Sequence, residues 1–261
     1  MTRPHTASAI RRAKEALGSH LGALGHSLEV YYGNQERDAA MDALYRRYIK
    51  ADGLAFDIGS HVGDRIASFR RLGARVIALE PQPLCATAIR AIHGGDSGVT
   101  LVQSACGAVE GILELHINSA NPTVTTASTD FVKAADGADG WQGQVWDKTM
   151  DVAVTTLDIL IATYGRPDFI KIDVEGFEAS VLAGLSAPVP ALSFEFTTIQ
   201  RDVALLCLTR LSALGYTKFN VALGESHILS FDDDVSANDM TRHIAGLPHG
   251  ANSGDVYALV G

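Results

Sequence analysis

The segment Phe169-Ile170-Lys171-Ile172-Asp173-Val174-Glu175-Gly176-Phe177-Glu178 is an apolar run that ends in carboxylates just before a helical stretch. If the strand continues, alternation puts Asp173 and Glu175 on one face. A carboxylate at a strand end can take a hydroxyl proton, orient a donor or hold a divalent cation. Glu195, in Ser193-Phe194-Glu195-Phe196, ends the next apolar run and is expected at the same sheet edge. Asp173, Glu175 and Glu195 are therefore the candidate catalytic residues. Carboxylates so grouped invite a metal, yet such clusters also work in hydrogen-bond networks without an ion, and no spacing here specifies one. Glu178 has a simpler reading, as an acid in the first turn of a helix, where the helix dipole favours negative charge.

A second constellation follows the apolar run 54–58, in Asp57-Ile58-Gly59-Ser60-His61-Val62-Gly63. Glycines here let backbone approach a ligand as the next helix begins. Glu80 lies 21 residues after Gly59, at the end of a second apolar run. Doubly wound folds place a ribose-binding carboxylate at this distance. The spacing is G-x-x-x-G, whereas dinucleotide-binding dehydrogenases favour G-x-G-x-x-G to cradle a pyrophosphate. S-adenosylmethionine (SAM) has no pyrophosphate, and its ammonium group suits the nearby acid Asp57. Ser104, at the edge of the third strand, falls where an adenine would cross the sheet. Asp57, Gly59, His61, Gly63, Glu80 and Ser104 are the candidate cofactor-binding residues.

Histidine suits proton transfer near neutral pH, so His61 and His227 are further candidates, although most lone histidines are structural. Phe131, Trp141 and Trp146 either cover a substrate or pin a loop to the core. Asp232-Asp233-Asp234 reads as a solvated charge run.

The elements that must position these residues alternate as strand and helix from Leu54 onward, the pattern of a parallel sheet covered on both faces. Strands are expected over 54–58, 75–79, 99–105, 169–174, 191–196, 218–223 and 256–260, with helices after Gly63 and over 84–92, 156–164, 178–185 and 203–214. Two further strands, 112–117 and 152–156, flank a region of little periodicity. Two helices, 8–30 and 35–50, precede the sheet and meet at Tyr31-Tyr32-Gly33-Asn34. The fold class is α/β, a Rossmann-like, doubly wound, mostly parallel sheet with an N-terminal helical extension. Residues 1–50 are expected to form a cap and 51–261 the enzyme domain.

Composition narrows the partners. The 261 residues are 47% hydrophobic and 20% charged, enough for one domain with an extension. Twenty-one basic against thirty acidic side chains give a net charge of −9, which disfavours non-specific attraction to nucleic acid or an anionic membrane. Cys85, Cys106 and Cys207 are odd in number and far apart, so neither a disulfide framework nor a zinc site is expected, and a reducing cytoplasm fits best. No apolar run approaches the ~20 residues of a membrane span, and no secretory leader is evident. Arg11, Arg12 and Lys14 give the start a basic character, but Leu17, Leu21, Leu24 and Leu28 continue at helical spacing, as in a docked helix.

Together, the stretches 56–63, Leu79-Glu80-Pro81 and 170–178 resemble the FkbM family of methyltransferases over roughly residues 54–200. The Lys-Ile-Asp-Val-Glu-Gly segment is the most specific part, and Gly254-Asp255-Val256-Tyr257-Ala258 is similar to that family's closing strand. The resemblance implies a fold of the class I SAM-methyltransferase type. It also implies transfer of a methyl group from SAM, usually to oxygen, on a natural product or glycan, with S-adenosyl-L-homocysteine (SAH) as product. By motif match, Asp57, Gly59 and Gly63 would line the methionine end, Glu80 would bind ribose, and Asp173 and Glu175 would lie near the reacting centre. Ser60-His61 stands where Ala-Asn is more usual, so that contact does not carry over. Two other readings compete: a nicotinamide-dependent oxidoreductase, which the missing G-x-G-x-x-G opposes, and a non-catalytic SAM-fold binding protein, which the acidic cluster opposes.

Overall fold

The computed structural model describes residues 6–261, in which the apolar runs assemble into two sheets. The strands are β1 (Leu54–Ile58), β2 (Arg75–Leu79), β3 (Val99–Val102), β4 (Ala105–Cys106), β5 (Gly111–Ile117), β6 (Lys148–Thr155), β7 (Phe169–Ile172), β8 (Ala191–Thr197), β9 (Tyr216–Leu223) and β10 (Ser253–Val260). Seven of them form the main sheet in the order β3-β2-β1-β7-β8-β10-β9. β1, β2, β3, β7 and β8 run parallel, and β10 is antiparallel to both neighbours. β1 and β7 are buried along their whole length, as strands covered on both faces must be.

The chain leaves β1 toward β2 and β3, then returns on β1's other side as β7 and β8. That reversal opens a crevice at the carboxyl ends of β1 and β7, where doubly wound sheets bind ligands. The connecting helices are α4 (Asp64–Arg71), α5 (Pro83–His93), α7 (Leu157–Tyr164), α8 (Glu178–Ala183) and α9 (Arg201–Ala213). Earlier in the chain come α1 (Thr6–Leu17), α2 (Leu21–Tyr32) and α3 (Gln35–Tyr45); α6 (Thr129–Ala135) lies in the central insertion, and α10 (Ala237–Gly246) precedes the last strand.

Several boundaries differ from expectation for local reasons. The helix expected over 8–30 is interrupted at Gly18, whose φ of +51° starts a single 3₁₀ turn between α1 and α2. α3 starts where the Asn34 side chain accepts hydrogen bonds from the amides of Glu36 and Arg37. The third strand splits: β3 ends at Val102, and Ala105–Cys106 pairs with β6 in a second sheet of order β4-β6-β5. α10 was not expected; its short polar sequence starts at Ser236, whose hydroxyl accepts from the amide of Asp239. The aperiodic insertion has its own small core, in which Phe131 packs edge-on against Trp141 and Trp146.

The N-terminal helices are packed onto this frame. Ala13, Leu17, Leu24 and Leu28 meet Val62, Cys85 and Ala88, behind the glycine loop. Tyr45 of α3 lies against Phe69, Phe169 and Tyr257, and Tyr48 stacks on Phe169 and Tyr257. Phe169 thus joins the helical extension to the strand that leads into Asp173. Phe169→Ala should cost about 3–5 kcal/mol of stability, measured by urea unfolding; a loss below 1 kcal/mol would show that this junction is dispensable.

Candidate active site

Beyond β1, the chain turns through Gly59 and Gly63 at φ of +83° and +85°. The amides of Gly59 and Ser60 both donate to the Leu79 carbonyl, at 3.0 and 2.9 Å, folding the loop over the end of β2. A Cβ on Gly59 would collide with the Asp173 carbonyl oxygen, so only glycine fits. The loop and the end of β7 are pressed together there. Gly63 ends the loop as the N-cap of α4 and packs against the His93 ring. It is not part of the cleft wall. Tyr32 of α2 buttresses the same loop by donating to the Val62 carbonyl at 2.9 Å.

Glu80 sits at the end of β2 with both carboxylate oxygens held. Oε2 accepts from the His61 amide and Oε1 from the Gln82 amide, each at 2.8 Å. Burial pushes its carboxyl up to about 8 despite these donors. Asp57 is also buried, with Oδ2 lacking a hydrogen-bond partner among the described residues. Burial and the neighbouring Asp64 push it up to about 7. His61 has a left-handed backbone, φ +47°, which asparagine tolerates best among non-glycine residues. Burial holds its imidazole down at about 4, so the ring is neutral at pH 7. The ring lies edge-on to Tyr31 of α2, with Nε2 3.3 Å from the Thr123 hydroxyl. Ser104 lines the cleft, but its hydroxyl is within 2.8 Å of the Ala153 carbonyl on β6, an anchor for the second sheet.

The other end of the cleft is acidic. Asp173, Glu175 and Glu195 each offer an oxygen, all within 4.8 Å of one another. Strand alternation is not what gathers them, since β7 stops at Ile172. A tight turn does so, with Glu175 at φ +54° and Gly176 at +85°, and the Thr126 hydroxyl donates to the Glu175 carbonyl at 2.6 Å. Glu178 clamps this turn, accepting from the amides of Val174 and Gly176 at 3.1 and 3.2 Å while 2% exposed. It is therefore more than a first-turn charge on a helix. Burial pushes Glu178 up to about 7, and burial with the neighbouring Asp173 pushes Glu175 and Glu195 well above the usual carboxylate range.

Several cleft residues were not among the sequence candidates. Tyr31, Asp64, Arg65, Lys171 and Glu225 all line it. Arg65 reaches both oxygens of Glu225, at 3.1 and 3.2 Å, and Arg37 bridges Asp64 and Glu225 at 2.8 and 2.6 Å. Burial works against the Glu225 charge, but Arg65 and Arg37 hold the carboxyl far below its ordinary value. Lys171 had a signal: two residues before Asp173, it shares that residue's side of an extended chain. His227, Phe131, Trp141 and Trp146 are not part of the cleft wall, which the insertion supplies through Thr123, Thr125 and Ala127. The cleft is partly open to solvent.

The model of the methyltransferase FkbM domain matches residues 57–227, from the acid before the glycine loop to the end of the Glu225 segment. The chain belongs to the FkbM methyltransferase family and is a SAM-dependent methyltransferase. No curated protein gives a significant sequence match. Among solved structures, it is similar to a precorrin-6Y C5,15-methyltransferase from Geobacter metallireducens, at 15% identity over 87% of this chain and 89% of that one, with a TM-score of 0.43. It is also similar to a SAM-dependent O-methyltransferase from Thermotoga maritima (12%, 87% and 66%, 0.42) and an rRNA methylase from Streptococcus thermophilus (10%, 84% and 94%, 0.41). Similarity at this level says nothing about the substrate. Among the described residues, no helix is long and apolar enough to cross a membrane.

The buried acids make stability depend on pH. Glu80, Asp57 and Glu178 hold protons in the folded state that they release near 4 when unfolded, so each contribution is lost as pH rises toward the folded value. His61, His93 and His227, held down at about 4 by burial, act oppositely, but only below their unfolded value of 6.5. Between pH 6.5 and 8, the acids therefore govern. The thermal midpoint of ligand-free protein should fall over that interval, and Glu80→Gln should make the fall shallower; equal slopes in parent and variant would contradict the buried-acid account.

Proposed function

We propose that this methyltransferase acts on oxygen, methylating a hydroxyl of a small natural product or sugar, with Asp173 receiving or orienting the hydroxyl proton. The observation that carries the reading is Asp173 itself: about one-third exposed at the cleft, backed by Lys171, and grouped with Glu175 and Glu195.

The donor set also fits SAM at the other end. The partnerless oxygen of Asp57 suits an ammonium group. The Gly59 loop lets backbone amides approach a carboxylate-bearing ligand closely. Glu80 is held by backbone on both sides and keeps lone pairs for ribose hydroxyls. His61, neutral and wedged between Tyr31 and Thr123, closes the wall beside it. Gly63 would act by shaping the loop, and Ser104 by anchoring the sheet edge under the adenine.

Bound SAM supplies an electrophilic methyl on a sulfonium. The protein's share is proximity, exclusion of water and control of one proton. Asp173 takes that proton from the acceptor oxygen, while Glu175 and Glu195 hydrogen-bond neighbouring hydroxyls. Such an acidic end disfavours phosphate-bearing acceptors and, with the net charge of −9, argues against nucleic acid. Of the expected 1–50 cap, residues 1–5 lie outside the described residues; the helices from residue 6 onward bring Tyr31 to the wall, and they and the 118–150 insertion select the acceptor. The trio is compact enough for a divalent cation, though no residue spacing specifies one, and the same carboxylates can work as a hydrogen-bond network without an ion.

Mass spectrometry of cell-extract metabolites incubated with protein and methyl-labelled SAM should find label on the oxygen of hydroxylated small molecules. Label confined to RNA, protein or a carbon atom would overturn the proposal. With an acceptor in hand, Asp173→Asn should slow transfer by about 10²–10⁴-fold with little change in SAM affinity, and transfer should survive chelator. Parental turnover in Asp173→Asn, or chelator-abolished turnover that magnesium restores, would reassign the carboxylates.

A further inference from the structure

Lys171 is fully buried on β7, its side chain 1% exposed, and has no part in the chemistry above. An ammonium in that position is costly unless paired and hydrogen-bonded. Its Nζ donates to Asp173 Oδ2 at 3.0 Å and to Asp255 Oδ1 at 2.6 Å. Asp255 lies on β10, directly opposite Glu195 on β8, and is itself buried. The cation thus ties the end of β7 to β10, across the intervening strand β8. Burial works against the Lys171 charge, but Asp173 and Asp255 outweigh it and hold the ammonium protonated well above its ordinary range. Lys171 therefore neither gives nor takes the proton of the reaction. Asp255 lies beyond the matched family region, which ends at residue 227.

We propose that Lys171, anchored by Asp255, is a positioning residue that fixes the Asp173 carboxylate toward the cleft and sets the net charge at the reacting end. The inference rests on Asp173 facing the transferred methyl. Lys171 bridges Asp173 and Asp255 as one unit, beside two further carboxylates, Glu175 and Glu195. Without Lys171, the Asp173 side chain would lose its only salt-bridge partner among the described residues.

The test compares the affinity of sinefungin, a SAM analogue with an amine-bearing carbon in place of the methyl sulfonium, with that of SAH, by calorimetry on the full chain. This ratio reads the charge at the methyl position without needing the acceptor. Lys171→Met makes the site more negative and should raise the preference for sinefungin about tenfold, the order expected for one nearby unit charge. Asp255→Asn makes it less negative and should lower the preference. Transfer of label to the acceptor should nonetheless fall about 10²-fold in Lys171→Met, because Asp173 is no longer aligned. A general structural defect would weaken both readouts together. If Lys171→Met does not fold, Asp255→Asn decides alone. Asp173→Asn is the reference: if it leaves the ratio unchanged, Asp173 does not face the methyl and the inference falls with that reading. If Asp173→Asn lowers the ratio but Lys171→Met and Asp255→Asn leave it at the parental value, the role given to Lys171 is overturned on its own.

Discussion

Much of this protein depends on one close backbone approach, between the Gly59 loop and the end of β7. The Asp173 amide donates to the Ile58 carbonyl at 2.9 Å, and the Asp173 carbonyl occupies the space that a Cβ on Gly59 would need. The glycine loop and the residue that begins the acidic end are thus held by the same few backbone atoms. Because β1 and β7 are neighbours at the reversal of strand order, residues at or just beyond the carboxyl ends of β1, β2, β7 and β8 line this crevice. Asp57, Glu80, Asp173 and Glu195 come from four different strands, yet all meet at one edge.

That edge concentrates negative charge, and the structure manages it differently at each place. Glu80 is satisfied by backbone amides on both sides, and Asp57 is left with an unpaired oxygen. Asp173 and Asp255 share a buried lysine. Glu225 and Asp64 are pinned by Arg37 and Arg65 where the N-terminal extension meets the sheet. Buried acids with few donors keep protons or recruit ligands with donors to give. An ammonium group and several hydroxyls meet that need, which makes the cleft's polarity consistent with SAM at one end and a hydroxylated acceptor at the other.

Much of the fold was legible because its signals are local. The runs ending in Asp57, Glu80 and Glu195 are short and continuous, and parallel strands put their ends at a common edge. Asp173 and Glu175 were paired from alternation, but a left-handed turn held by Glu178 brings them together, and a turn of that kind shows in sequence only through Gly176. Gly18 broke a helix whose leucine spacing continues across it, because periodicity does not register a backbone reversal. The split after Val102 falls at Gln103-Ser104, a polar pair that does not by itself mark a change of sheet. Lys171 with Asp255, and Arg65 with Glu225, are 84 and 160 residues apart. No spacing rule reaches that far, so these partners emerge only once the sheet order is known.

The most direct test of the account is a crystal structure of the protein with SAH. The expected result places the homocysteine amine at Asp57, the ribose hydroxyls on Glu80, and the sulfur turned toward Asp173 with Glu175 and Glu195 beyond it. An adenosine lying among Asp173, Glu175 and Glu195, or a ligand bound outside the crevice between β1 and β7, would contradict it.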